Sequence, residues 1–193
     1  MWDLYLVAQS QHALIVDTQN VVNMERGLIH IYTGEGKGKT SAGMGLLVRA
    51  LGRGLSVKII QLFKRNTGEQ YFFENSGFNY FQFKPLHPFF KTYNKDELES
   101  LRKEFLEFWN EVTNDLNFDV ILIDEIGPGI AWGVIDEDLV FDLIKRKPQS
   151  AELVLTGRDF PLSIIEKADY ISEINKIKHP YDKGVLARKG IEF

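Results

Sequence analysis

The sequence predicts an α/β protein, a three-layer sandwich around a mostly parallel sheet of about five to six strands. Three observations lead there. Short apolar runs recur along the chain, several of them continuous rather than alternating, as in strands buried on both faces of a parallel sheet. Between them lie stretches whose apolar residues fall at spacings of three and four. The first apolar run leads directly into a glycine-rich loop and a helix of small residues.

The strands are expected at 28–32, 57–63, 79–83, 120–123, 152–155 and 170–173. A helix is expected from Ser41 to Leu51, ending at Gly52-Arg53-Gly54. Leu98, Leu101, Phe105, Phe108 and Val112 form one helical stripe, opened by Asn94 with Glu97 three residues later, the pattern of a capping box. Another helix starts at Asp136, with acids at Glu137 and Asp138 and bases at Lys145, Arg146 and Lys147 before Pro148, matching the helix dipole. No repeat, low-complexity tract or linker interrupts the chain. Residues 27–193 therefore read as one domain and residues 1–26 as an N-terminal extension, either a tail packed on the domain or a cover over a site.

A length of 193 residues suffices for one sizeable core. The apolar fraction of 44% and charged fraction of 26% argue against disorder and against a membrane protein. No apolar run reaches the roughly 20 residues that span a bilayer, and the N-terminus lacks the basic segment of a secretory signal. Cysteine is absent, which excludes disulfides and thiolate metal sites and makes the cytoplasm the expected location. Lysine and arginine number 23 against 27 acids, a net charge of 23 − 27 = −4, so nucleic acid is not an expected partner. Any polyanion is expected to be small and held in a local pocket.

That pocket is expected at Thr33-Gly34-Glu35-Gly36-Lys37-Gly38-Lys39-Thr40, between the first strand and the first helix. Glycines let backbone N–H groups turn inward on an anion, and the helix N-terminus adds partial positive charge. Lys39 can reach phosphate oxygens, and the Thr40 hydroxyl can bind Mg²⁺ (or Mn²⁺). The usual P-loop has glycine where this chain has Thr33, and Gly34 comes one residue late. The second element is the strand 120–123 followed by Asp124 and Glu125, the Walker B arrangement that sets carboxylates beside a metal at a strand's carboxyl end. By itself, Asp-Glu in that place is also how a helix begins. The two elements together make the fold P-loop NTPase-like. Expected nucleotide contacts run from Gly34 through Ser41, with Arg158, which follows a predicted strand end, as a further phosphate clamp or a surface ion pair.

The chain resembles the P-loop family of ATP:corrinoid adenosyltransferases. The resemblance rests on the loop 33–40, Thr67-Gly68-Glu69, Ile123-Asp124-Glu125, Leu155-Thr156-Gly157-Arg158, and a closing run with Ala168-Asp169, Ser172-Glu173, Lys178-His179, Gly184 and Gly190-Ile191-Glu192-Phe193. It implies that Co(I) of a corrinoid attacks C5′ of ATP and expels the triphosphate. It further implies that Lys39, with Lys37, stabilises the departing charge, and that Thr40, Glu125 and Asp124 hold the metal. A homodimer and an electron donor such as a flavoprotein are implied as partners. The family uses a Phe/Trp pair to strip the lower axial ligand from cobalt. The corresponding segment here is Lys84 to Lys91, without tryptophan, and Phe89 and Phe90 are its candidates. Where the family commonly has Thr-Tyr, this chain has Gly127-Pro128. His179 falls in the family's closing segment, whereas His30 reads as a buried strand residue with a partner. Other readings are a P-loop phosphotransferase or ATPase, in which Glu125 would polarise water, and a nucleotide- or corrinoid-binding relative without turnover.

Overall fold

In a computed structural model, residues 26–87 and 91–192 are described. The readings placed on residues 1–25, and on Phe89 and Phe90, lie outside the described residues. Six strands form one sheet: β1 (Ile29–Thr33), β2 (Val57–Leu62), β3 (Asn79–Phe83), β4 (Val120–Asp124), β5 (Glu152–Thr156) and β6 (Tyr170–Glu173). Their order is β3-β2-β4-β5-β1-β6, and every neighbouring pair is parallel. The expected "mostly parallel" sheet is wholly parallel among the described residues. All six strands lie where the apolar runs place them, with ends shifted by at most one residue.

The continuous apolar runs are explained by two buried faces. Ile60 and Leu62, Ile121 and Ile123, and Leu153 and Leu155 pack into one core, with Phe105 and Trp109 of α3 (Lys95–Val112) and Val140 and Leu143 of α5 (Glu137–Arg146). Val57 and Ile59, Val120 and Leu122, and Val154 face the other side, against Leu47 and Ala50 of α1 (Lys39–Leu51) and Phe73 of α2 (Gly68–Asn75). Each fully buried Leu, Ile or Phe contributes about 1.5–3 kcal/mol by leaving water, so these two cores hold the three layers together. β6 is the exception. It closes the sheet edge with all four residues exposed.

Three helices were not expected. α2 carries exposed Tyr71 and Phe72, so its apolar residues trace no clean stripe. α4 (Ile126–Ala131) contains Gly127, Pro128 and Gly129, residues that ordinarily mark a turn. Here Gly127 is required by packing, because a Cβ would stand 2.1 Å from the Arg158 carbonyl oxygen. A short helix, α6 (Leu162–Ile165), follows β5.

The register fixes what meets at the carboxyl edge. Ile31 lies opposite Leu155, and Leu155 opposite Ile123, so Thr156 and Asp124 end their strands at the level of Tyr32, one residue before the end of β1. The loop after β1 and the carboxylates after β4 therefore open on the same side, where ligands of such sheets bind.

The capping box expected on α3 is complete. Asn94 accepts from the Glu97 N–H at 2.9 Å, and the Glu97 carboxylate accepts from the Asn94 N–H at 2.9 Å. Asn94→Ala is expected to cost about 1 kcal/mol, read as a lower midpoint with an unchanged slope in urea unfolding.

Candidate active site

The glycine loop after β1 is shaped by the far end of the chain. Gly34 and Gly38 adopt φ of 97° and 125°, which non-glycine residues rarely reach. The Gly36 N–H donates to the Ile174 carbonyl oxygen at 2.6 Å, just beyond β6. A Cβ on Gly34 or Gly36 would come within 2.6 or 2.7 Å of that same oxygen. The late glycine at position 34 is thus required by close approach of the backbone. Gly38 is the N-cap of α1 and makes no side-chain cap bond, so the amide groups of the first turn stay open to the pocket. Lys39 is buried and folds over the loop, donating to the Gly34 and Gly36 carbonyl oxygens at 2.7 and 2.8 Å. Burial, with Arg158 nearby, lowers its pKa from the ordinary lysine value.

Asp124 ends β4 with its carboxylate wholly buried. Its Oδ1 accepts from the Thr156 hydroxyl at 2.6 Å, and its Oδ2 from Gln61 Nε2 at 3.0 Å and Lys64 Nζ at 2.8 Å. Burial opposes the charge, but Lys64 and these hydrogen bonds keep the carboxyl below its usual pKa. Lys64 also donates to the Thr40 hydroxyl and lies 3.5 Å from Glu125 Oε2. Burial would lower the Lys64 pKa, yet Asp124 and Glu125 raise it.

The pair does stand where a helix begins, as one reading of Asp124-Glu125 expects. Glu125 is the N-cap position of α4, but its backbone is left-handed with φ 66° and its side chain caps nothing. Its N–H donates to the Thr156 hydroxyl at 3.0 Å, and its carboxylate turns toward Lys64 and toward His87 Nε2 at 3.7 Å. Burial would raise the Glu125 pKa; His87 and Lys64 hold it low. Among the described residues, the four non-glycine positions with positive φ are Phe63, Asn66, Glu125 and Asp159, all past the ends of β2, β4 and β5. Such conformations persist where surrounding structure imposes them, and they cluster at functional edges.

A cavity of about 930 Å³ opens over this edge. The expected residues Glu35 through Ser41, Glu125 and Arg158 all line it, while Gly34 and Asp124 lie behind the lining. Lys37 is held at the mouth by the closing segment, donating to Glu192 Oε1 at 2.9 Å and the Ile191 carbonyl at 3.3 Å. Arg188 forks onto the same Glu192 at 3.0 and 3.2 Å, and with Lys37 holds its pKa far below the ordinary glutamate value. Arg158 pairs with Glu35 at 3.3 Å, with both side chains largely exposed. Arg158 is thus a surface ion pair that also faces the cavity, and such a pair holds it weakly. His179 caps the 3₁₀ turn Pro180–Lys183, its Nδ1 accepting from the Tyr181 N–H at 3.2 Å. His30 has the expected partner, Glu152 at 2.8 Å.

Lys64, Gln61 and His87 escaped the sequence reading. Lys64 carried a usable signal, since it follows the carboxyl end of a predicted parallel strand, as Glu125 and Arg158 do. The oxygens gathered here, from Thr40, Asp124 and Glu125, are hard donors of the kind that suits Mg²⁺. Among the described residues no three His, Cys, Asp or Glu side chains form a metal cage.

A glycine-rich loop and a carboxylate pair, one strand apart at the carboxyl edge of a parallel sheet, give the chain the form of a P-loop NTPase-like α/β sandwich. Residues 25–193 match the model of the family described as ATP:corrinoid adenosyltransferase BtuR/CobO/CobP, and the chain belongs to that family. It is 32% identical over 171 residues to the corrinoid adenosyltransferase of Escherichia coli strain K12, covering 88% of this chain and 87% of that protein. It is 33% identical over 174 residues to a corrinoid adenosyltransferase of a Sinorhizobium species, covering 88% and 81%. With the corrinoid adenosyltransferase CobA of Salmonella typhimurium it shares 30% over 171 residues, covering 88% and 87%. The chain is an enzyme of the corrinoid adenosyltransferase type.

Asp124→Ala would remove the nearer carboxylate from the Lys64 ammonium and leave it only Glu125 at 3.5 Å, a loss expected to cost up to about 3–5 kcal/mol in thermal or urea unfolding. The folded-state pKa of Asp124 is depressed, so its stabilisation is complete above the ordinary aspartate value and is lost as pH falls through the lower folded one. Asp124→Asn is therefore expected to be less stable than wild type near neutrality, the gap narrowing toward strong acid in a pH series of unfolding midpoints.

Proposed function

We propose that the enzyme transfers the 5′-deoxyadenosyl group of ATP to the Co(I) centre of a corrinoid and releases inorganic triphosphate, in cobalamin biosynthesis or salvage. The observation that carries this reading is the convergence of Lys39, Thr40 and the Asp124-Glu125 pair on one cavity in a chain of this family. In this reaction the cobalt lone pair forms the Co–C5′ bond, the C5′–O5′ bond breaks, and its electrons leave on the triphosphate. No water has to be activated. The protein must hold C5′ in line between cobalt and leaving oxygen and receive charge growing on the phosphates.

Residues 34–41 bind the triphosphate through loop and helix-start amides, with Lys39 drawn from its loop carbonyls onto phosphate oxygens. Lys37 and Arg158 stand at the mouth as further clamps, each released by leaving one carboxylate and one main-chain carbonyl oxygen. Thr40 and Glu125, with Asp124 directly or through water, would hold Mg²⁺ (or Mn²⁺). The ion, when bound, supplies charge neutralisation for the triphosphate. Glu125 is thus assigned to the metal rather than to polarising water. Phe89 and Phe90 are assigned to the corrinoid's lower face. The neighbouring His87 stacks edge-on to Trp132 at 4.0 Å, beside Glu125. Residues 27–193 form the catalytic unit in this reading, with 1–26 as a cover, in a cytoplasmic homodimer supplied with electrons by a flavoprotein.

Product analysis tests the reaction. Inorganic triphosphate is expected only when reduced corrinoid is supplied with MgATP; release of ADP or orthophosphate in its place would point to phosphoryl transfer and overturn the assignment. Lys39→Ala is expected to raise the ATP requirement and slow transfer by about 10²–10³-fold in steady-state kinetics. Phe90→Ala is expected to impair use of Co(II) corrinoid with a reductant while sparing chemically prepared Co(I), and equal loss on both would remove Phe90 from ligand displacement.

A further inference from the structure

Lys64 is absent from every sequence motif discussed above, yet its ammonium sits at the centre of the polar cluster. It donates to the Thr40 hydroxyl and to Asp124 Oδ2 at 2.8 Å, and it lies 3.5 Å from Glu125 Oε2. These are the three side chains assigned to the metal, an assignment on which the following inference rests. We propose that Lys64 is a built-in counter-cation of this site, one that a divalent ion must displace in order to bind.

Charge demands a cation here. Asp124 is fully buried and Glu125 stands beside it, and two carboxylates out of water are tolerated only when positive charge is supplied. Lys64 supplies it, with an ammonium whose proton is held more tightly than usual by those same carboxylates. Space allows only one cation. Mg²⁺ binds oxygen at about 2.0–2.1 Å, so an ion drawn to Thr40, Asp124 and Glu125 would take the volume that Nζ fills and repel it.

The approach of Lys64 permits exchange. Its side chain retains 23% exposure while Asp124 has none, so the ammonium enters from the cavity and has a route back into it. A flexible four-carbon stem can swing in a way that a rigid guanidinium fork does not. The backbone around it is held in place. Phe63, immediately before it, adopts φ 55° and is clamped by Phe83 and Trp132 at ring distances of 5.5 and 5.9 Å, so motion is confined to the side chain. Once released, the ammonium faces the cavity shared with Lys39 and Arg158, where a triphosphate gives it new oxygen partners. Metal uptake is then weak without the polyphosphate and strong with it, because the phosphates receive the displaced charge.

The test is Mn²⁺ binding, followed by electron paramagnetic resonance, together with thermal unfolding of wild type, Lys64→Arg and Lys64→Met. Without nucleotide, Lys64→Met is expected to bind Mn²⁺ at least about tenfold more tightly than wild type or Lys64→Arg. Its unfolding midpoint should fall below wild type and recover when Mn²⁺ is added, while the other two proteins respond little. A Lys64→Met protein that folds only with Mn²⁺ present supports the proposal in the extreme. One that binds Mn²⁺ no better than wild type, or that stays unfolded or equally destabilised whatever the Mn²⁺ concentration, overturns it. Wild type with Mn²⁺ and ATP serves as the control: no uptake there would refute the metal assignment itself, whereas uptake with indifferent Lys64 variants would refute only the role of Lys64.

Discussion

The buried carboxylate of Asp124 is the constraint around which the catalytic edge is organised. A charge with no exposure must be met from every side, and each partner comes from a different element. Gln61 reaches it from β2, Thr156 from the end of β5, and Lys64 from the turn after β2. Thr156 passes the order onward, because its hydroxyl also accepts the Glu125 N–H and so supports the left-handed turn that begins α4. Through Lys64 the same network reaches Thr40 in the first turn of α1. One desolvated charge thereby sets the relative positions of three strands and two helix starts.

The fold was largely legible because parallel strands buried on both faces write themselves as unbroken apolar runs. Val120 to Ile123 and Leu153 to Leu155 are uniformly buried, and no alternation blurs their edges. α3 was legible for the opposite reason, its stripe and its Asn94 cap both being local signals. α4 was not. Gly127 and Pro128 speak for a turn, and only the contact with the carbonyl of Arg158, distant in sequence, makes the small residue necessary. α2 was hidden by exposed aromatic residues whose placement no periodicity explains.

The residues named from motifs come together at one cavity, whereas those placed there by topology were missed. Lys39, Thr40 and Glu125 sit in short patterns whose chemistry is recognisable in isolation. Lys64 and Gln61 matter because β2 lies next to β4, a neighbourhood that chain order conceals, since β1 and β2 are separated in the sheet by β5 and β4. In the proposed reaction, loop, lysine and carboxylates would grip a polyphosphate, and nothing in that grip would dictate which of its bonds breaks.

The support of the glycine loop by Ile174 has a consequence for how substitutions will be tolerated. The principal contact comes from a main-chain oxygen, which every residue at position 174 would present in the same place. Drift in the side chain there leaves the cradle's outline intact, whereas one methyl group at 34 or 36 pushes two backbones apart. The glycine loop is thus moulded by two stretches of polypeptide almost 140 residues apart. Only one of them has to spell its role in recognisable letters.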